Sequence, residues 1–374
     1  MPEAVMFALK NLVRRKVRTL LTVLGVSFAV ATVVALLSTA RGFTSQFNDF
    51  FVTGDAHLVV TRKNVADPFL SYVPDELIER LSQVPGVAAA HPFLWTIHQL
   101  PANPFFFFFG TSEGSPILAE MRVTEGRGLF DPGVPERRIC LGRDAATILD
   151  KTIGSSIELG GEDYEVVGIF EAGTPLLAAG GLLPFGDAQE VSGLDGKMSS
   201  ALIQLERFSP EDIRTAEAMI EEAFPQLQAT EPASFTSDFE EFELTEKAMS
   251  VFSVMAVVIG GIGVMNTMLM SVFERTREIG VLQAIGWSKG MVLRQILTEG
   301  VVICCLGGVL GAGLGALAVE GIGSIDELAW VAGDYGLGVF VEAFAVTIAM
   351  GLFGAAYPAL RAVRITPVEA LRYE

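Results

Sequence analysis

Four stretches of mainly apolar residues without a formal charge divide the chain. The longest, Ala248–Phe273, contains 26 residues, and roughly 20 apolar residues are enough for a helix to cross a bilayer. The pattern therefore predicts four transmembrane helices. They are expected at residues 17–40, 248–273, 298–320 and 343–360, where the uncharged runs are Thr19–Ala40, Ala248–Phe273, Gly300–Val319 and Ala343–Leu360.

The first apolar stretch has an alternative interpretation as a signal peptide. Ser38-Thr39-Ala40 resembles a cleavage site, but the apolar part exceeds the roughly 7 to 15 residues that are usual in signal peptides. We therefore expect an uncleaved span. Before it, residues 1–16 place apolar side chains at helical spacing beside several bases, which predicts an amphipathic helix on the inner membrane surface.

The long segment 41–247, between the first two spans, alternates between strand and helix patterns. A β-α-β order near its start returns near its end, which predicts an α+β domain whose two ends meet. Glycines between the shorter runs in the middle mark turns of a β-rich insert. The predicted strands are His57–Thr61, Val87–Leu94, Arg138–Gly142, Ser156–Leu159, Tyr164–Ile169, Ser200–Leu205 and one near Gln228, and the predicted helices are Pro74–Gln83 and Pro210–Phe224.

Charge is segregated along the chain. The formal net charge is −18 although 51% of the residues are hydrophobic and the mean hydropathy is +0.47. Residues 41–247 contain 33 acids and 14 bases, whereas the rest contains 11 acids and 12 bases. The acidic residues therefore belong to a soluble domain. Because phosphate binding requires a basic face, we expect no nucleic-acid partner.

The bases beside the spans predict which connections face the cytoplasm. The connection 274–297 contains four Arg or Lys residues, and the tail 361–374 contains three, whereas 321–342 contains acids but no Arg or Lys. Short cytoplasmic connections carry an excess of bases. Both termini and 274–297 are therefore expected inside, and 41–247 and 321–342 outside.

The segment Glu274–Gly300, ERTREIGVLQAIGWSKGMVLRQILTEG, resembles the loop between the second and third spans of FtsX-like, MacB-type ABC transporter permeases. The tail Tyr357–Glu374 resembles the same family closely, and Gly126-Arg127 and Val166–Ile169 resemble it less closely. The resemblance implies an α-helical membrane protein with four transmembrane helices in the bacterial cytoplasmic (inner) membrane. A large extracytoplasmic α+β domain, a MacB-like periplasmic core domain, would be inserted between helices 1 and 2.

The same resemblance implies the partners. Residues 274–297 would form a coupling loop or helix on a separate cytoplasmic ABC ATPase, and a second permease subunit would complete a homodimer or heterodimer in membrane lipid. Participation of a periplasmic adaptor is left open. ATP and Mg are expected in the partner ATPase, because Gly196-Lys197, the nearest approach to a phosphate-binding loop, lacks the first glycine and the following Ser or Thr.

The roles of the coupling residues follow from their chemistry. Charged side chains would meet the ATPase, apolar side chains would pack the coupling helix, glycines would allow close approach or a turn, and Ser288 would cap the next helix. The charges also fit plain determination of topology beside a membrane. The expected coupling residues are Glu274, Arg275, Arg277, Glu278, Ile279, Gly280, Leu282, Ile285 and Gly286, with Ile279, Leu282 and Ile285 as the packing residues.

Small and polar residues inside the spans form two further candidate sites. Gly307, Gly311 and Gly315 recur every four residues, and small residues at this spacing let helices approach closely in lipid. Packing within the chain and packing against a second subunit both remain open. Asn266 is expected to hydrogen-bond between helices, with a substrate contact as the alternative.

A run of five aromatic residues lies in the large domain. Such a run in a strand must be covered on both faces, or some of its rings are exposed. The simpler interpretation is a strand buried on both sides. The alternative is an apolar loop that contacts lipid, a lipidated substrate or a partner subunit, with Phe105, Phe106, Phe107, Phe108 and Phe109 as the contact residues.

Catalytic and metal-binding patterns are not found in the sequence. The three cysteines, Cys140, Cys304 and Cys305, and the three histidines show no metal-ligand spacing, and no nucleophile motif is present. We therefore expect no catalytic residue and no metal.

The expected function is that of a permease subunit. It would couple ATP hydrolysis by the separate ATPase to movement of its extracytoplasmic domain, for export or extraction of a lipoprotein, lipid, peptide or drug-like substrate by mechanotransmission. The alternative is a non-transporting regulator that relays ATP hydrolysis to an external cell-wall hydrolase. The length of 41–247 favours the exporter, because the cell-division branch of the family usually has a smaller outer domain.

Overall fold

The structure is a computed structural model that describes residues 16–52, 56–65, 67–325, 328, 331 and 333–364. The predicted helix over residues 1–16, apart from Lys16, and the tail after Arg364 lie outside the described residues. The chain divides into two compact units. Met1–Arg41, Glu246–Glu320 and Gly333–Glu374 form the helical unit, and Gly42–Thr245 with Gly321–Ala332 form the sheet domain.

Apolar helices and short alternating strands account for most of the described chain. The helices are α1 (Lys16–Val52), α2 (Leu77–Ser82), α3 (Arg143–Ile148), α4 (Pro175–Ala178), α5 (Phe185–Ser192), α6 (Pro210–Ala223), α7 (Glu240–Glu274), α8 (Thr276–Ala284), α9 (Lys289–Gly323) and α10 (Leu337–Arg364). The strands are β1 (Leu58–Arg62), β2 (Val73–Pro74), β3 (Val87–Leu100), β4 (Asn103–Thr111), β5 (Arg122–Gly126), β6 (Arg138–Gly142), β7 (Ser156–Leu159), β8 (Glu162–Glu171), β9 (Gly181–Pro184), β10 (Lys197–Met198), β11 (Ser200–Leu205) and β12 (Leu227–Thr230).

Four of the described helices, α1, α7, α9 and α10, are long and apolar enough to cross a membrane. Each contains one of the predicted spans. Small residues on their facing surfaces bring the backbones together, which is a main source of helix packing in lipid. A Cβ built on Gly308 of α9 would lie 2.6 Å from the Thr347 methyl of α10, and one built on Gly354 of α10 would lie 2.9 Å from Val264 of α7. The helical unit therefore packs through glycines.

The connection between α9 and α10 is fixed to α1 within the helical unit. The backbone N–H of Asp334 donates to the Ser38 carbonyl at 2.9 Å. Arg41 of α1 pairs with Glu342 of α10, with both side chains partly exposed. The predicted outer ends of these two helices are therefore joined by an ion pair at the surface.

Ten of the described strands form one sheet, in the order β12-β1-β11-β3-β4-β9-β6-β8-β5 with β7 beside β8. β1 pairs antiparallel with β11 and β12, placing Leu58 opposite Ile203 and Arg62 opposite Leu227. The two ends of the predicted α+β domain therefore meet at one edge of the sheet, where β12 is the outermost strand, as the repeated β-α-β order predicts. The β-rich insert continues the same sheet through β6 and β8, which pair in parallel.

Both faces of this sheet are covered. On one face α2 and α6 bury Leu81 and Ile220 completely. α6 begins at a capping box, in which the Asp212 N–H donates to the Ser209 hydroxyl at 3.3 Å and the Ser209 N–H donates to the Asp212 carboxylate at 3.2 Å. Reciprocal bonds of this kind satisfy N–H groups that the first helical turn leaves unpaired.

The other face is covered by an aromatic cluster. The last turns of α1 supply Phe47, Phe50 and Phe51, and the first turn of α7 supplies Phe242. The ring centroid of Phe50 lies 5.0 Å from that of Phe109 in β4. The remaining aromatic members of the cluster are Phe93, Trp95, Phe107, Phe170, Phe235 and Phe239. Because each aromatic pair contributes about 0.5 to 1.5 kcal/mol beyond simple burial, the end of α1 is firmly held in the sheet domain.

Candidate functional site

The predicted coupling segment folds as a separate short helix, α8, bounded by two breaks. α7 ends at Glu274, and Arg275 leaves helical geometry at φ −111°, ψ 12°. At the other end Gly286 has φ +106°, a left-handed conformation that glycine adopts without strain. The Ser288 hydroxyl then accepts the Met291 N–H at 3.3 Å and caps α9 as predicted.

One face of α8 is exposed and the other is buried. Thr276, Ile279 and Gly280 are buried against the helical unit, and Leu282 is half-buried. The exposed side chains recur at helical spacing, with charges at the start and apolar side chains at the end. They are Arg277, Glu278, Val281 and Ala284 of α8, with Glu274 before the helix and Ile285 after it.

The structure corrects the packing role predicted for Ile285. Its side chain is 72% exposed, because α8 ends at Ala284 and Ile285 follows as the cap residue of the turn. Gly286 is also exposed at this turn. Ile285 therefore forms part of the surface that α8 presents, while Ile279 and Leu282 pack the helix.

Arg275 also differs from the prediction that it belongs to the charged surface. Its side chain is 15% exposed, and its guanidinium donates to both carboxylate oxygens of Glu299, at 3.3 and 2.9 Å. Glu299 lies in α9 and is 7% exposed. The Arg275 guanidinium also approaches Glu278 at 3.5 Å. Arg275 therefore joins the start of α8 to α9, facing away from solvent.

The two residues before Arg275 contact the remaining spans. Glu274 pairs with Arg18 of α1, and the guanidinium of Arg361 in α10 lies 4.7 Å from the ring centroid of Phe273. The three consecutive residues Phe273, Glu274 and Arg275 thus contact α10, α1 and α9 respectively. The junction of α7 and α8 is the point where all four long helices are linked by charged side chains.

Sequence reasoning missed Arg18 and Glu299 as partners of this junction. Glu299 directly precedes the uncharged run that begins at Gly300, so it looked like a charge at the boundary of a span. The available signal is the pair of opposite charges, Arg275 and Glu299, which border the second and third uncharged runs. Charged side chains within or beside transmembrane segments normally pair with one another or with backbone carbonyls.

The predicted glycine stripe packs within this chain. Cβ atoms built on Gly307, Gly311 and Gly315 would lie 2.5 to 2.7 Å from atoms of α1. Their nearest atoms belong to Val26, the Ser27 carbonyl and the Ala31 carbonyl. The stripe is therefore where α9 and α1 touch.

Asn266 lies elsewhere, exposed on a groove of about 1000 Å³ between α1 and α7. Gly25 and Gly263 line the same groove, and a Cβ on either would meet no other atom within 4 Å. The groove is mainly apolar, with Phe28 and Ile259 on its walls. The structure thus separates Asn266 from the glycine stripe.

The five aromatic residues lie in β4 and are divided between the two faces of the sheet. Phe106 and Phe108 belong to one buried cluster, and Phe107 and Phe109 belong to the aromatic cluster on the other face. Phe105 is 45% exposed. Four of the five rings, Phe106–Phe109, are therefore buried on the two faces of the sheet. Only Phe105, among these five residues, is exposed enough to contact a partner.

Burial shifts the pKa values of two side chains in the sheet domain, Cys140 and Asp187. Burial raises the pKa of the Cys140 thiol to about 12, with Asp131 adding to the effect and Arg138 opposing it. Burial also raises the pKa of Asp187, and Arg138 again opposes the shift. Within the described residues, no three His, Cys, Asp or Glu side chains are grouped so as to hold a metal ion.

Two protein-family models match the chain. The model of the MacB-like periplasmic core domain matches residues 19–231, and the model of the FtsX-like permease C-terminal region matches residues 250–367. The chain belongs to the FtsX-like, MacB-type ABC transporter permeases. Membership of this permease family implies a cytoplasmic ATPase partner and a dimer. The four apolar helices and the sheet domain together give the fold of a multi-pass membrane protein with a periplasmic-type α+β domain.

Relatives of this permease include both permease proteins and longer fusions. The chain is 26% identical to the "Uncharacterized ABC transporter permease YknZ" of Bacillus subtilis, over 100% of this chain and 99% of that protein. It is also 26% identical to the "Macrolide export ATP-binding/permease protein MacB" of Rhodopirellula baltica, over 100% of this chain but 62% of that protein. A crystal structure of the extracellular domain of YknZ from Gram-positive bacteria covers 46% of this chain and 98% of its own, with 19% identity and a TM-score of 0.37. A likeness at that score adds nothing to the family assignment.

Proposed function

We propose that this permease acts as a mechanical relay in the bacterial cytoplasmic membrane. A separate cytoplasmic ATPase would bind α8 and hydrolyse ATP, and the resulting movement of the helices would displace the sheet domain outside the membrane. This displacement would export or extract a lipoprotein, lipid, peptide or drug-like substrate. A substrate moved in this way does not need to pass between the helices.

The continuity of α1 carries this proposal. α1 is one helix of 37 residues. Its early turns place Val26, Val30 and Val34 in the core of the helical unit, and its last turns place Phe50 and Phe51 in the aromatic cluster. Because α1 contributes residues to both cores, it would pass displacement of the helical unit on to the sheet domain.

The exposed face of α8 supplies the contact with the ATPase. Its charges and its apolar end form a surface of mixed chemistry, and in such interfaces a few apolar anchors contribute most of the affinity while polar groups set the orientation. We expect Ile285 and Val281 to be the anchors, because both are exposed apolar side chains on the face that α8 turns away from the helical unit. Arg277 and Glu278 would fix the orientation.

The names of two relatives support export as the direction of movement. The MacB protein of Rhodopirellula baltica is named for macrolide export. The "Pyoverdine export ATP-binding/permease protein PvdT" of Pseudomonas entomophila is 27% identical to this chain, over 100% of the chain and 61% of that protein. Both names concern export of a small molecule.

Co-purification with the ATPase tests the proposal. The tagged full-length chain is purified in lipid nanodiscs together with the ATPase that accompanies it, which is recognised by its own phosphate-binding loop. We expect Ile285→Asp and Arg277→Glu each to lose most of the bound ATPase. Arg207→Glu, which makes the same charge change on an exposed residue of the sheet domain, should leave binding intact. Retention of the ATPase by both α8 variants would refute the coupling role.

Stimulation of the ATPase separates export from regulation. In the intact complex, a macrolide or a lipopeptide should increase ATP hydrolysis, whereas a purified cell-wall hydrolase should not. Stimulation by the hydrolase alone would replace the exporter with the non-transporting relay.

A further inference from the structure

We propose that Glu299 is a positioning residue that holds the coupling helix. Through Arg275 it would fasten α8 to α9, so that the two helices move as one body and α9 passes the movement to α1. This inference rests on the proposed function and adds the route by which movement leaves α8.

The geometry of the Arg275–Glu299 pair is that of a strong contact between α8 and α9. Both Glu299 oxygens accept from one nitrogen of the Arg275 guanidinium, at 3.3 and 2.9 Å, and both side chains are largely removed from solvent. Hydrogen bonds between ionised groups are strong and directional. Removing one partner of a buried pair leaves an uncompensated charge, so the pair resists separation.

The space around the pair shows why apolar packing is insufficient at this point. A cavity of about 40 Å³ lies among α7, α8 and α9, and Arg275, Glu278 and Glu299 line it together with Ile279 and Val292. Apolar side chains therefore do not fill the junction between α8 and α9. The ion pair bridges them where the packing is incomplete.

α8 contacts α9 at its start, through the Arg275 side chain, and is followed by α9 after a short turn at its end. Only the non-helical residue Arg275 separates α8 from α7 along the chain. The Arg275 carbonyl accepts the Ile279 N–H at 2.9 Å, so its backbone belongs to the first turn of α8 while its side chain binds α9. At the other end, a four-residue turn leads to α9, and the Trp287 N–H donates to the Leu282 carbonyl at 3.0 Å. Trp287 packs on the core of the helical unit. This arrangement favours movement of α8 together with α9.

The glycine stripe then connects α9 to α1. Gly307, Gly311 and Gly315 leave no room for a side chain between the two backbones. Packed interfaces of this kind do not deform continuously. A displacement of α9 is therefore delivered to α1, which carries the aromatic anchor of the sheet domain.

Four variants separate positioning from simple stability. Glu299→Gln removes the charge and keeps the shape, and the exchange of Arg275→Glu with Glu299→Arg restores a pair of opposite charges. Arg275→Met combined with Glu299→Leu replaces the pair with apolar side chains, which commonly keeps a protein stable. Glu342→Gln is the matched control, because it removes a carboxylate that pairs with Arg41 of α1 away from α8.

Distances between spin labels give the readout. In a background whose three cysteines are replaced by alanine, labels at Ala284→Cys in α8 and Leu310→Cys in α9 report whether the helices move together. The full chain with its ATPase in nanodiscs is compared without nucleotide and after trapping with ATP and vanadate. We expect one narrow, unchanged distance for the wild type and the Glu342→Gln control, and a broadened or shifted distance for Glu299→Gln.

The expected pattern across variants is specific. Glu299→Gln should keep the ATPase bound but reduce the ATP-driven displacement of the sheet domain about fivefold or more. The charge exchange should recover most of the displacement. The apolar pair should recover the midpoint of thermal unfolding but not the displacement, since apolar contact lacks the direction of the ion pair.

Two results would overturn the inference. One is an unchanged α8–α9 distance and normal displacement in Glu299→Gln, and the other is full displacement with the apolar pair. Failure of the proposed function looks different, because then the wild type itself would bind no ATPase or show no ATP-driven displacement.

Discussion

Gly311 of α9 lies directly against the Ser27 carbonyl of α1, and a Cβ at Gly311 would come within 2.5 Å of that oxygen. Real Cβ atoms do not approach a backbone oxygen so closely, so any side chain at this position must push the two helices apart. The close spacing of α1 and α9 therefore requires glycine at position 311, because glycine has only a hydrogen atom in place of a side chain.

Gly311→Val should separate α1 from α9 and destabilise the helical unit by about 1 to 3 kcal/mol, as overpacking of a tight contact usually does. Gly313 is the matched control two residues away, because a Cβ there would meet no other atom within 4 Å. Gly313→Ala should be neutral or stabilising by up to about 1 kcal/mol, since alanine favours helix more than glycine. Thermal unfolding in nanodiscs measures both. Equal loss in both variants would show that the contact does not limit the spacing.

Phe50→Ala should unfold the sheet domain more readily, by about 3 to 5 kcal/mol, because it opens a cavity in the aromatic cluster. Phe50 is 2% exposed and its ring contacts Phe109. Phe28→Ala on the same helix is the control, because Phe28 is 77% exposed. Chemical denaturation followed by tryptophan fluorescence reports the change through Trp95 in the same cluster. A normal unfolding curve for Phe50→Ala would mean that α1 is not anchored as described.

Phe107→Ser should destabilise the sheet domain, whereas Phe105→Ser should hardly affect its stability. Phe107 is 4% exposed and belongs to the aromatic cluster, so a hydroxyl there is buried and the domain should lose stability. Phe105→Ser should leave the thermal unfolding midpoint nearly unchanged. Loss of transport by Phe105→Ser without loss of folding would assign Phe105 to a partner or substrate contact. Normal transport would leave this strand with a role in the core alone.

Cys140 should resist alkylation in the folded protein at pH 7 to 8, because burial raises its pKa to about 12 and the thiolate is the reactive form. Labelling with N-ethylmaleimide followed by mass spectrometry tests this in a chain whose Cys304 and Cys305 are replaced by alanine. The thiol should react only after denaturant is added. Rapid labelling without denaturant would show that the interior around β6 is open to solvent.

Local patterns predicted the elements better than the contacts between them. The predicted strands Arg138–Gly142, Ser156–Leu159 and Ser200–Leu205 have the same bounds in the structure, because alternation and flanking glycines are local signals. The end of the first transmembrane helix was harder to predict. α1 continues to Val52 through Arg41 and other polar residues, since the end of an uncharged run does not end a helix.

The candidate site shows the same division. The position of α8 and the cap at Ser288 followed from short-range order in the sequence. The pairing of Arg275 with Glu299, 24 residues away, depends on how α7, α8 and α9 pack, which no local pattern contains. The exposure of Ile285 depends on one residue at the end of a helix, where bounds are least certain from sequence.

The most direct test of the account is whether ATP inside moves the sheet domain outside. Spin labels at Glu211→Cys, an exposed position in the first turn of α6, are placed in the sheet domains of both permease subunits of the complex, and their separation is measured before and after trapping with ATP and vanadate. We predict a clear change in separation, which is lost when the phosphate-binding lysine of the partner ATPase is replaced. An unchanged separation while the complex hydrolyses ATP would contradict the account.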